Sequence, residues 1–548
     1  MACSDDTVSP TDLQPVLASI SPDSGNVGTA VELRGSQFAK GAVVLFGSMP
    51  SPRVSYLSAT RVRAYAPDGI VLGESYAVKV RNASSDFADA SKPYRAVAPE
   101  LTVVNGVSKP SGTPGSTVVF EGRSFGDLVG KGTVYFTGNS GPVEAPVTIA
   151  ANWSNEFIIA EVPGDAITGP VWVDTPLGAT DGIEFRIVEA ATFSPSQIQW
   201  TQTASLPAPS QGHGAHFLSI EDAGNVDNVV FVTGGADGTP TARTDVLVGE
   251  IDATGQVVSW SATTPLPEAR AFHATEIATP WNALVDTTVA GYLYEIGGIN
   301  ATGDVQSTVL FTAVARDRSL AGWAPTTALP VALHSAGAAI LRSWLYVVGG
   351  ATTADAPRGA AYRARILEDG QLGAWESLPA LPSARAYAPL VQWAGHLYVL
   401  GGDTAASTPG SNSVPNTTTK SILMQTIDLR TGGFKNSAWT GASSQLIKSV
   451  SKHSVIVAGG WLLASGGLYN GASSSATEHQ YASIDVDGSV TSFNGATGSQ
   501  TITSAGGVPF YNHTAITYVD DAGVAHVIII GGNNVTNSAA PTANCYYY

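Results

Sequence analysis

The sequence predicts an all-β protein in which two β-sandwiches are followed by a six-bladed β-propeller. Three observations predict this fold class. The composition favours strands and turns, one pattern of glycines and aromatics recurs once near the start of the chain, and a glycine pair follows an apolar run six times in the remainder.

The composition excludes several classes of protein. Of the 548 residues, 44% are hydrophobic and only 13% are charged, which excludes a disordered or coiled-coil chain. The 59 glycines and 32 prolines favour short strands with many turns. The net charge of −17 repels phosphate backbones, so nucleic acid is not an expected partner. No apolar run approaches the ~20 residues of a transmembrane helix, so no transmembrane segment is expected.

The two cysteines, Cys3 and Cys545, provide neither a disulfide framework nor a CxxC metal pattern. Ala2-Cys3 followed by polar residues resembles the end of a bacterial lipoprotein signal in which Met1 replaces the apolar part. This makes Cys3 a candidate for lipidation and predicts a lipid anchor at the N-terminus. The alternative is an ordinary terminal cysteine. In both cases residues 1–14 are expected to be a flexible N-terminal segment.

The first repeat relates two segments that are 87 residues apart. "GNVGTAVELRGSQF" begins at Gly25, and "GTPGSTVVFEGRSF" begins at Gly112. Apolar residues alternate in each copy, as in Val31 and Leu33, which predicts half-buried strands. Two such units predict two β-sandwiches, at residues 15–98 and 99–190.

The glycines and aromatics of these segments resemble the IPT/TIG family. The resemblance implies an immunoglobulin-like fold for both units. It also implies the usual role of such modules in extracellular proteins, which is that of spacers or adhesion units.

The second repeat is a glycine pair at the end of an apolar strand, as in "WLYVVGG" and "HLYVLGG". The pairs lie at 234–235, 297–298, 349–350, 401–402, 466–467 and 531–532. An aromatic residue follows each of the first five pairs, and a Leu-Pro step often comes next; the aromatics are Trp260, Trp323, Trp375, Trp439 and Phe493. Each unit therefore predicts four antiparallel strands, and six units predict a propeller over residues 191–548.

The ends of this region predict how the ring closes. The last unit has three strands and ends in "CYYY", while "SQIQWTQT" before the first unit has no partner in its own unit. We expect the strand with Trp200 to complete the last blade, because closure removes exposed strand edges. Glycine pair, aromatic and Leu-Pro in this order closely resemble kelch repeats over about 195–548, which implies a kelch-type β-propeller.

Kelch proteins include copper-radical oxidases, which need a cysteine linked to a tyrosine in an early blade. Here Cys545 lies on the last strand, so we expect a small buried residue and reject that activity. His213, His273, His453 and His513 sit at corresponding places in their units, and His334 is shifted by two. Such a ring could bind a metal, but a position repeated by symmetry favours a structural role. No catalytic residue and no metal site is predicted.

Ligand-binding candidates lie on the face that carries the Leu-Pro turns. Arg270 and Arg385 follow Leu-Pro at matched spacing and suit a carboxylate or sugar, although structural arginines that bond loop carbonyls are an alternative. The long polar loop 403–420 adds Asp403, Asn412 and Asn416, which suit a glycan or protein ligand.

The opposite face is predicted to carry enlarged acidic loops in units six, one and two. Their carboxylates form a possible Ca²⁺ or basic-partner site and include Asp222, Asp227, Asp286, Asp520 and Asp521. Solvated acidic loops are the alternative, and no other cofactor is expected.

Three functions remain open. The first is a non-enzymatic extracellular or cell-surface adhesion protein whose propeller loops bind a glycan or a surface protein. The second is a carbohydrate-active enzyme (isomerase, lyase or hydrolase) with a site at the mouth of the channel. The third is a structural subunit of a surface assembly.

Overall fold

The computed structural model describes the chain as an all-β protein, which confirms the predicted class. The described residues are 13–104, 110–112, 114–147, 152–187, 193–222, 225–237, 241–279, 288–353, 355–367, 369–393, 395–407, 409, 417–428, 431–469, 479–484, 488–495, 510–520, 524–534 and 541–548. The chain divides into two compact units, residues 1–189 and 190–548. No helix among these ranges is both long and apolar enough to cross a membrane.

The first half of unit one is a β-sandwich around a core that includes Val31, Leu33 and Phe46. One sheet contains, in spatial order, Val16–Ser21, Ala30–Ser36, Arg61–Tyr65 and Val54–Ser58. The facing sheet contains Ala88–Asp89, Val78–Arg81, Val43–Phe46 and Met49–Pro50. A small sheet contains Ser24–Gly25, Tyr94–Ala96 and Ser75–Tyr76.

The second half of unit one repeats this arrangement around Val118, Phe120 and Phe136. One sheet contains Glu100–Val104, Thr117–Arg123 and Phe157–Glu161. The other contains Ser111–Gly112, Ile183–Ile187, Gly169–Thr175, Thr133–Phe136 and Val143–Ala145, with Gly178–Ala179 paired to Gly169–Thr175.

Close backbone approach explains why Gly35 recurs as Gly122. A Cβ on Gly35 would lie 1.8 Å from the carbonyl oxygen of Val16, and one on Gly122 would lie 2.0 Å from that of Glu100. The first strand of each copy is bulged opposite this glycine. The repeat therefore preserves a glycine at the position where the backbone of a bulged neighbouring strand comes too close for a side chain.

A polar joint connects the two sandwiches. Asp127 accepts the backbone N–H of Ala30 at 2.7 Å and that of Asn155 at 3.2 Å. The Nδ2 of Asn26 donates to the hydroxyl of Thr175 at 2.7 Å, and Asn26 is fully buried. Buried, paired polar groups of this kind fix one mutual orientation.

The described part of unit two contains six antiparallel sheets of four or five strands, preceded by a 3-10 turn at Pro195–Gln197. Sheet 1 contains Gly214–Asp222, Asn225–Thr233, Val246–Ile251 and Val257–Ala262. Sheet 2 contains Ala274–Ala278, Val289–Ile296, Val309–Ala315 and Ala324–Thr326. Sheet 3 contains His334–Leu341, Trp344–Ala351, Ala361–Arg365 and Glu376–Leu378. Sheet 4 contains Leu390–Trp393, His396–Leu400, Ile422–Asp428, Gly433–Phe434 and Thr440–Gly441. Sheet 5 contains Ser454–Ala458, Trp461–Ser465, His479–Ser483 and Asn494–Gly495.

Sheet 6 joins the two ends of unit two, which confirms the predicted pairing. It contains Thr514–Val519, Ala525–Ile530, Cys545–Tyr547 and Thr201–Thr203. Thr201 pairs with Tyr547, and Thr203 pairs with Cys545. Two short pairs extend the sheets and contain Val450–Ser451 with Leu468–Tyr469 and Phe510–Tyr511 with Asn533–Asn534.

The glycine pairs connect neighbouring sheets through their backbone. In Gly401–Gly402 the φ angles are 57° and 96°, and a Cβ on Gly401 would lie 2.5 Å from the carbonyl oxygen of Val450 in the next sheet. Gly402 donates its N–H to the same oxygen at 2.9 Å. Four other pairs make the same bond through their second glycine: Gly235 to Arg270, Gly298 to Leu333, Gly350 to Arg385 and Gly532 to Ser210. Left-handed backbone and close approach together require glycine.

The tryptophans connect the outer strands of neighbouring sheets. Each indole N–H donates to a backbone carbonyl just after a strand of the preceding sheet. The bonds are Trp260 to Ala204, Trp323 to Thr264, Trp375 to Thr327 and Trp439 to Pro379. Ala204 directly follows the first strand of unit two, so the Trp260 bond links sheet 1 to sheet 6. Sheet 6 also shares apolar cores with sheets 5 and 1.

Candidate functional site

In unit two, a residue with left-handed backbone conformation lies at the start of the first strand of each sheet or just before that strand. These residues have φ angles between 51° and 57° and are Gly212, Phe272, Ser335, Tyr387, Lys452 and Asn512. We call them the left-handed ring. Five of them are not glycine, and non-glycine residues adopt this conformation only where the surroundings enforce it.

Backbone hydrogen bonds that run from sheet to sheet hold the left-handed ring in place. The N–H of Phe272 donates to the carbonyl of Gly212 at 2.7 Å, Ser335 to Phe272 at 2.8 Å, and Tyr387 to Ser335 at 3.0 Å. Asn512 donates to Lys452 at 2.9 Å, and Gly212 donates to Asn512 at 3.0 Å. The side chains of the ring are therefore presented from a fixed backbone.

These side chains line a pocket of about 150 Å³ together with His213, His273, His453 and His513. The polar groups of the ring come from Ser335, Tyr387, Lys452 and Asn512. The Lys452 ammonium lies 5.1 Å from the centre of the Tyr387 ring, a cation–π geometry. Burial lowers the pKa of Lys452 to about 8, although Asp403 and Asp355 oppose the shift.

The four pocket histidines occupy the position one residue after the ring. Three of them pack against the first glycine of the preceding sheet: a Cβ on Gly401 would lie 3.0 Å from Cε1 of His453, with equivalent contacts at Gly234 and Gly531. Burial lowers the pKa of His213 to about 4 and that of His453 and His513 to about 3, so these rings are neutral. Within the described ranges no three His, Cys, Asp or Glu residues gather to hold a metal. The geometry matches the structural interpretation of this repeated position.

The two predicted arginines are buried. The Arg270 side chain is 1% exposed and donates to Glu268 at 3.0 Å. Arg385 is 2% exposed and donates to the Gly401 carbonyl at 3.2 Å and to the Ser421 hydroxyl at 3.1 Å. Burial lowers the pKa of both. This is the geometry of the structural alternative, in which arginine bonds loop atoms.

Asp403 lies near the pocket, next to the glycine pair of sheet 4. It is fully buried, and its backbone pairs with Ala386. Burial raises the pKa of Asp403, while Ser451 and Lys452 oppose that shift. Asn412 and Asn416 lie outside the described residues, so the structure brings only Asp403 of this predicted set close to the pocket.

The acidic residues predicted for the opposite face have cationic or imidazole partners where the structure describes them. The carboxylate of Asp227 lies 3.5 Å from Nε of Arg318, and that of Asp520 lies 3.0 Å from Nε2 of His526. The side chain of Asp222 and all of Asp286 and Asp521 lie outside the described part. The cation site stays a prediction.

The two cysteines are placed differently. Cys545 is buried on the last strand of sheet 6 with a free thiol, and burial raises its pKa to about 12. This is the small buried residue expected for it. Cys3 lies outside the described residues, so its lipidation stays a prediction.

Sequence reasoning missed the left-handed ring. Its six residue types have no side-chain property in common, because the repeated feature is a backbone conformation. The four aligned histidines were the available signal, since the ring lies one residue before each of them.

Comparisons with known proteins identify one domain. Residues 15–95 match the IPT/TIG domain model, so this part of the chain is an IPT/TIG domain. A solved structure titled "Structure of YjhT" is similar at 13% identity with a TM-score of 0.43, over 63% of this chain and 95% of that chain. That likeness is too low to carry an argument. No curated protein matches the chain.

Proposed function

We propose that this is an extracellular binding protein whose second unit recognises a glycan or a surface protein at the left-handed ring. The IPT/TIG domain supports a surface or adhesion-type protein. In this proposal the domain at 15–95 and the sandwich that follows it, which we assign to the same family, are spacers. Lipidation of Cys3 would attach the chain to the cell surface.

We further propose that the six sheets are the blades of a closed kelch-type propeller. The pairing of Thr201–Thr203 with Cys545–Tyr547 supports this, as do the glycine-pair bonds and the Trp260 bond to Ala204. In such a ring the pocket lies at the mouth of the central channel, where loops from all six blades surround a ligand.

The observation that carries the binding proposal is the set of side chains on the ring. Ser335, Tyr387, Lys452 and Asn512 line one pocket. The Tyr387 hydroxyl donates to the Ser407 carbonyl at 3.4 Å and the Asn512 amide donates to Gln211 at 3.1 Å, so both side chains are held in place. Their backbone positions are fixed by the inter-sheet bonds, so little conformational freedom is lost on binding. Neighbouring aromatic and hydrogen-bonding groups suit the apolar faces and hydroxyls of a sugar.

The test is a glycan array followed by calorimetry with the best ligand. Lys452→Met is expected to weaken binding at least about tenfold, or ~1.4 kcal/mol, because it removes an ammonium from the pocket. Lys448→Met is the matched control, since Lys448 lies 4.6 Å from the Tyr469 ring outside the pocket lining. Equal losses in both variants, or binding that neither changes, would reject this site.

A second candidate is a carbohydrate-active enzyme, and Lys452 with Asp403 favours it. Burial lowers the pKa of Lys452 and raises that of Asp403, so it favours the neutral amine and the neutral carboxylic acid. Such a pair suits proton transfer to and from a bound sugar. Proton NMR of a sugar panel would show turnover by the wild type and none by Lys452→Met. Sugars that bind but are not converted would reject the enzyme and support the binding function.

A further inference from the structure

Sheet 3 differs from the other sheets in where it carries its histidine, although sheet 4 also lacks one after the ring, at Ala388. The residue after the ring is Ala336 in sheet 3, whereas an imidazole occupies that place in four sheets. The imidazole of sheet 3 belongs instead to His334, the residue before the ring. No other sheet has histidine there; the residues are Gln211, Ala271, Ala386, Ser451 and Tyr511. Packing on a glycine pair therefore does not account for His334.

His334 lies between a hydroxyl group and a carboxylate. Its Nδ1 is 3.1 Å from Oγ of Ser335, and its Nε2 is 3.3 Å from Oδ1 of Asp355. The imidazole is fully buried, while Asp355 is 30% exposed. Ser335 is half-buried and lines the pocket. Opposite ring nitrogens thus lie near a serine and an aspartate. Ser335 is within hydrogen-bond reach of Nδ1, and the Asp355 carboxylate lies at ion-pair distance from Nε2 without hydrogen-bond geometry. These are the residue types of an activated nucleophile and its base.

We propose that Ser335 is a nucleophile for acyl transfer, with His334 as its general base and Asp355 as the residue that orients the imidazole. This activity goes beyond ligand binding and does not depend on it. The substrate class is a carboxylic ester, such as an acetyl ester, whose acyl group enters the pocket beside Ser335.

The proposed reaction balances without a cofactor. Nδ1 of His334 takes the hydroxyl proton while Oγ bonds to the acyl carbon, and the ester C–O bond then breaks as the leaving alcohol takes that proton. Water next gives a proton to Nδ1 and its oxygen to the acyl carbon. The acid is released as Oγ recovers the proton.

Other groups at the pocket suit this chemistry. His334 must be neutral to accept a proton, and burial lowers its pKa more than Asp355 raises it. The Asp355 carboxylate, 3.3 Å from Nε2, then stabilises the imidazolium formed during the reaction. Lys452 lines the same pocket as Ser335, and in this proposal its ammonium stabilises the oxyanion.

The experiment treats the full chain with a fluorophosphonate probe and locates the label by mass spectrometry. The wild type is expected to take up one label, on the peptide that carries Ser335, and to hydrolyse p-nitrophenyl acetate. Ser335→Ala is expected to lose the label and at least about 100-fold in kcat. Asp355→Asn is expected to label at least about tenfold more slowly, because the imidazole loses its orienting carboxylate.

Ser377→Ala is the matched control, since Ser377 is exposed on the outer strand of the same sheet, and its labelling should equal that of the wild type. Folded wild-type protein that takes up no probe would overturn the proposal, as would a label that persists in Ser335→Ala. The wild-type result stands even if a variant misfolds. Labelling without glycan binding would reject the binding function alone, and glycan binding without labelling would reject this proposal alone.

Discussion

The indole N–H of Trp200 donates a 2.7 Å hydrogen bond to Nε2 of His479. Both residues are buried, and their ring centres are 5.0 Å apart. Tryptophans at the equivalent place in sheets 1 to 4 donate to backbone carbonyls instead. Burial lowers the pKa of His479 to about 3, so the imidazole is neutral and accepts the proton. This bond links the first strand of unit two to sheet 5.

Trp200→Phe is expected to destabilise unit two by about 1–3 kcal/mol, because it leaves Nε2 of His479 buried without a donor. Thermal unfolding followed by calorimetry measures the change. Trp375→Phe is the control, since that indole bonds Thr327 at an exposed site and its loss should cost less than about 1 kcal/mol. Equal losses of stability in the two variants would show that the bond to His479 stabilises unit two no more than the exposed bond to Thr327 does.

Acidification is expected to destabilise unit two before carboxylates titrate. Four buried histidines have folded pKa values well below 6.5: His213 at about 4 and His453, His479 and His513 at about 3. Between these values and pH 6.5 the unfolded chain binds more protons than the native state. The stabilisation is therefore complete above pH 6.5 and is lost as pH falls, by ~1.4 kcal/mol per pH unit for each histidine.

Calorimetric scans at pH 7.5 and 5.0 measure this effect as a drop in Tm. The variant His453→Gln has one titrating group fewer and should show a smaller drop between the two values. A Tm that is equal at both values would contradict neutral burial of these rings.

Gly401→Ala is expected to destabilise unit two by about 3 kcal/mol or more, because the new Cβ would overlap the Val450 carbonyl at 2.5 Å. Gly303→Ala isolates the cost of the left-handed backbone, since Gly303 has φ +85° and open space around its Cβ position. That control should lose ~1 kcal/mol. Chemical denaturation of the two variants gives both values, and equal losses would exclude steric crowding as the reason for the glycine pair.

Asp127→Ala is expected to weaken the joint between the two sandwiches by about 1–3 kcal/mol, because the backbone N–H groups of Ala30 and Asn155 lose their acceptor. Lys131→Ala removes an exposed ion pair with Asp68 and should change stability by less than about 1 kcal/mol. Calorimetry of the unit-one transition, with limited proteolysis between residues 96 and 100, distinguishes the two. No difference between the variants would mean that Asp127 does not stabilise this joint.

The sequence predicted the strands well because their periodicity is a property of side chains. Apolar runs before the glycine pairs set the second strand of each sheet, and Trp200 marked the strand that pairs with residues 545–547. The chemistry of the pocket was harder to predict. Arg270 and Arg385 stood out because they recur, yet both are buried, and each bonds a hydroxyl just before the third strand of its sheet, that of Thr308 or Ser421.

Ser335, His334 and Asp355 were not recognised as a group. Histidine beside serine is common in any sequence, and Asp355 comes into position only because the chain doubles back after the glycine pair of sheet 3. The left-handed φ angle at Ser335 has no counterpart in residue type. Sites built from backbone conformation and strand reversal are therefore visible only in three dimensions.

The pairing of Thr201–Thr203 with Cys545–Tyr547 has a consequence for biosynthesis. A ribosome that has just made the earlier strand must translate more than 300 further residues before its partner exists. During that interval the nascent chain exposes the edge of residues 201–203, which invites pairing with another chain. Chaperone binding to this segment during translation would protect it until the tyrosine-rich strand leaves the exit tunnel.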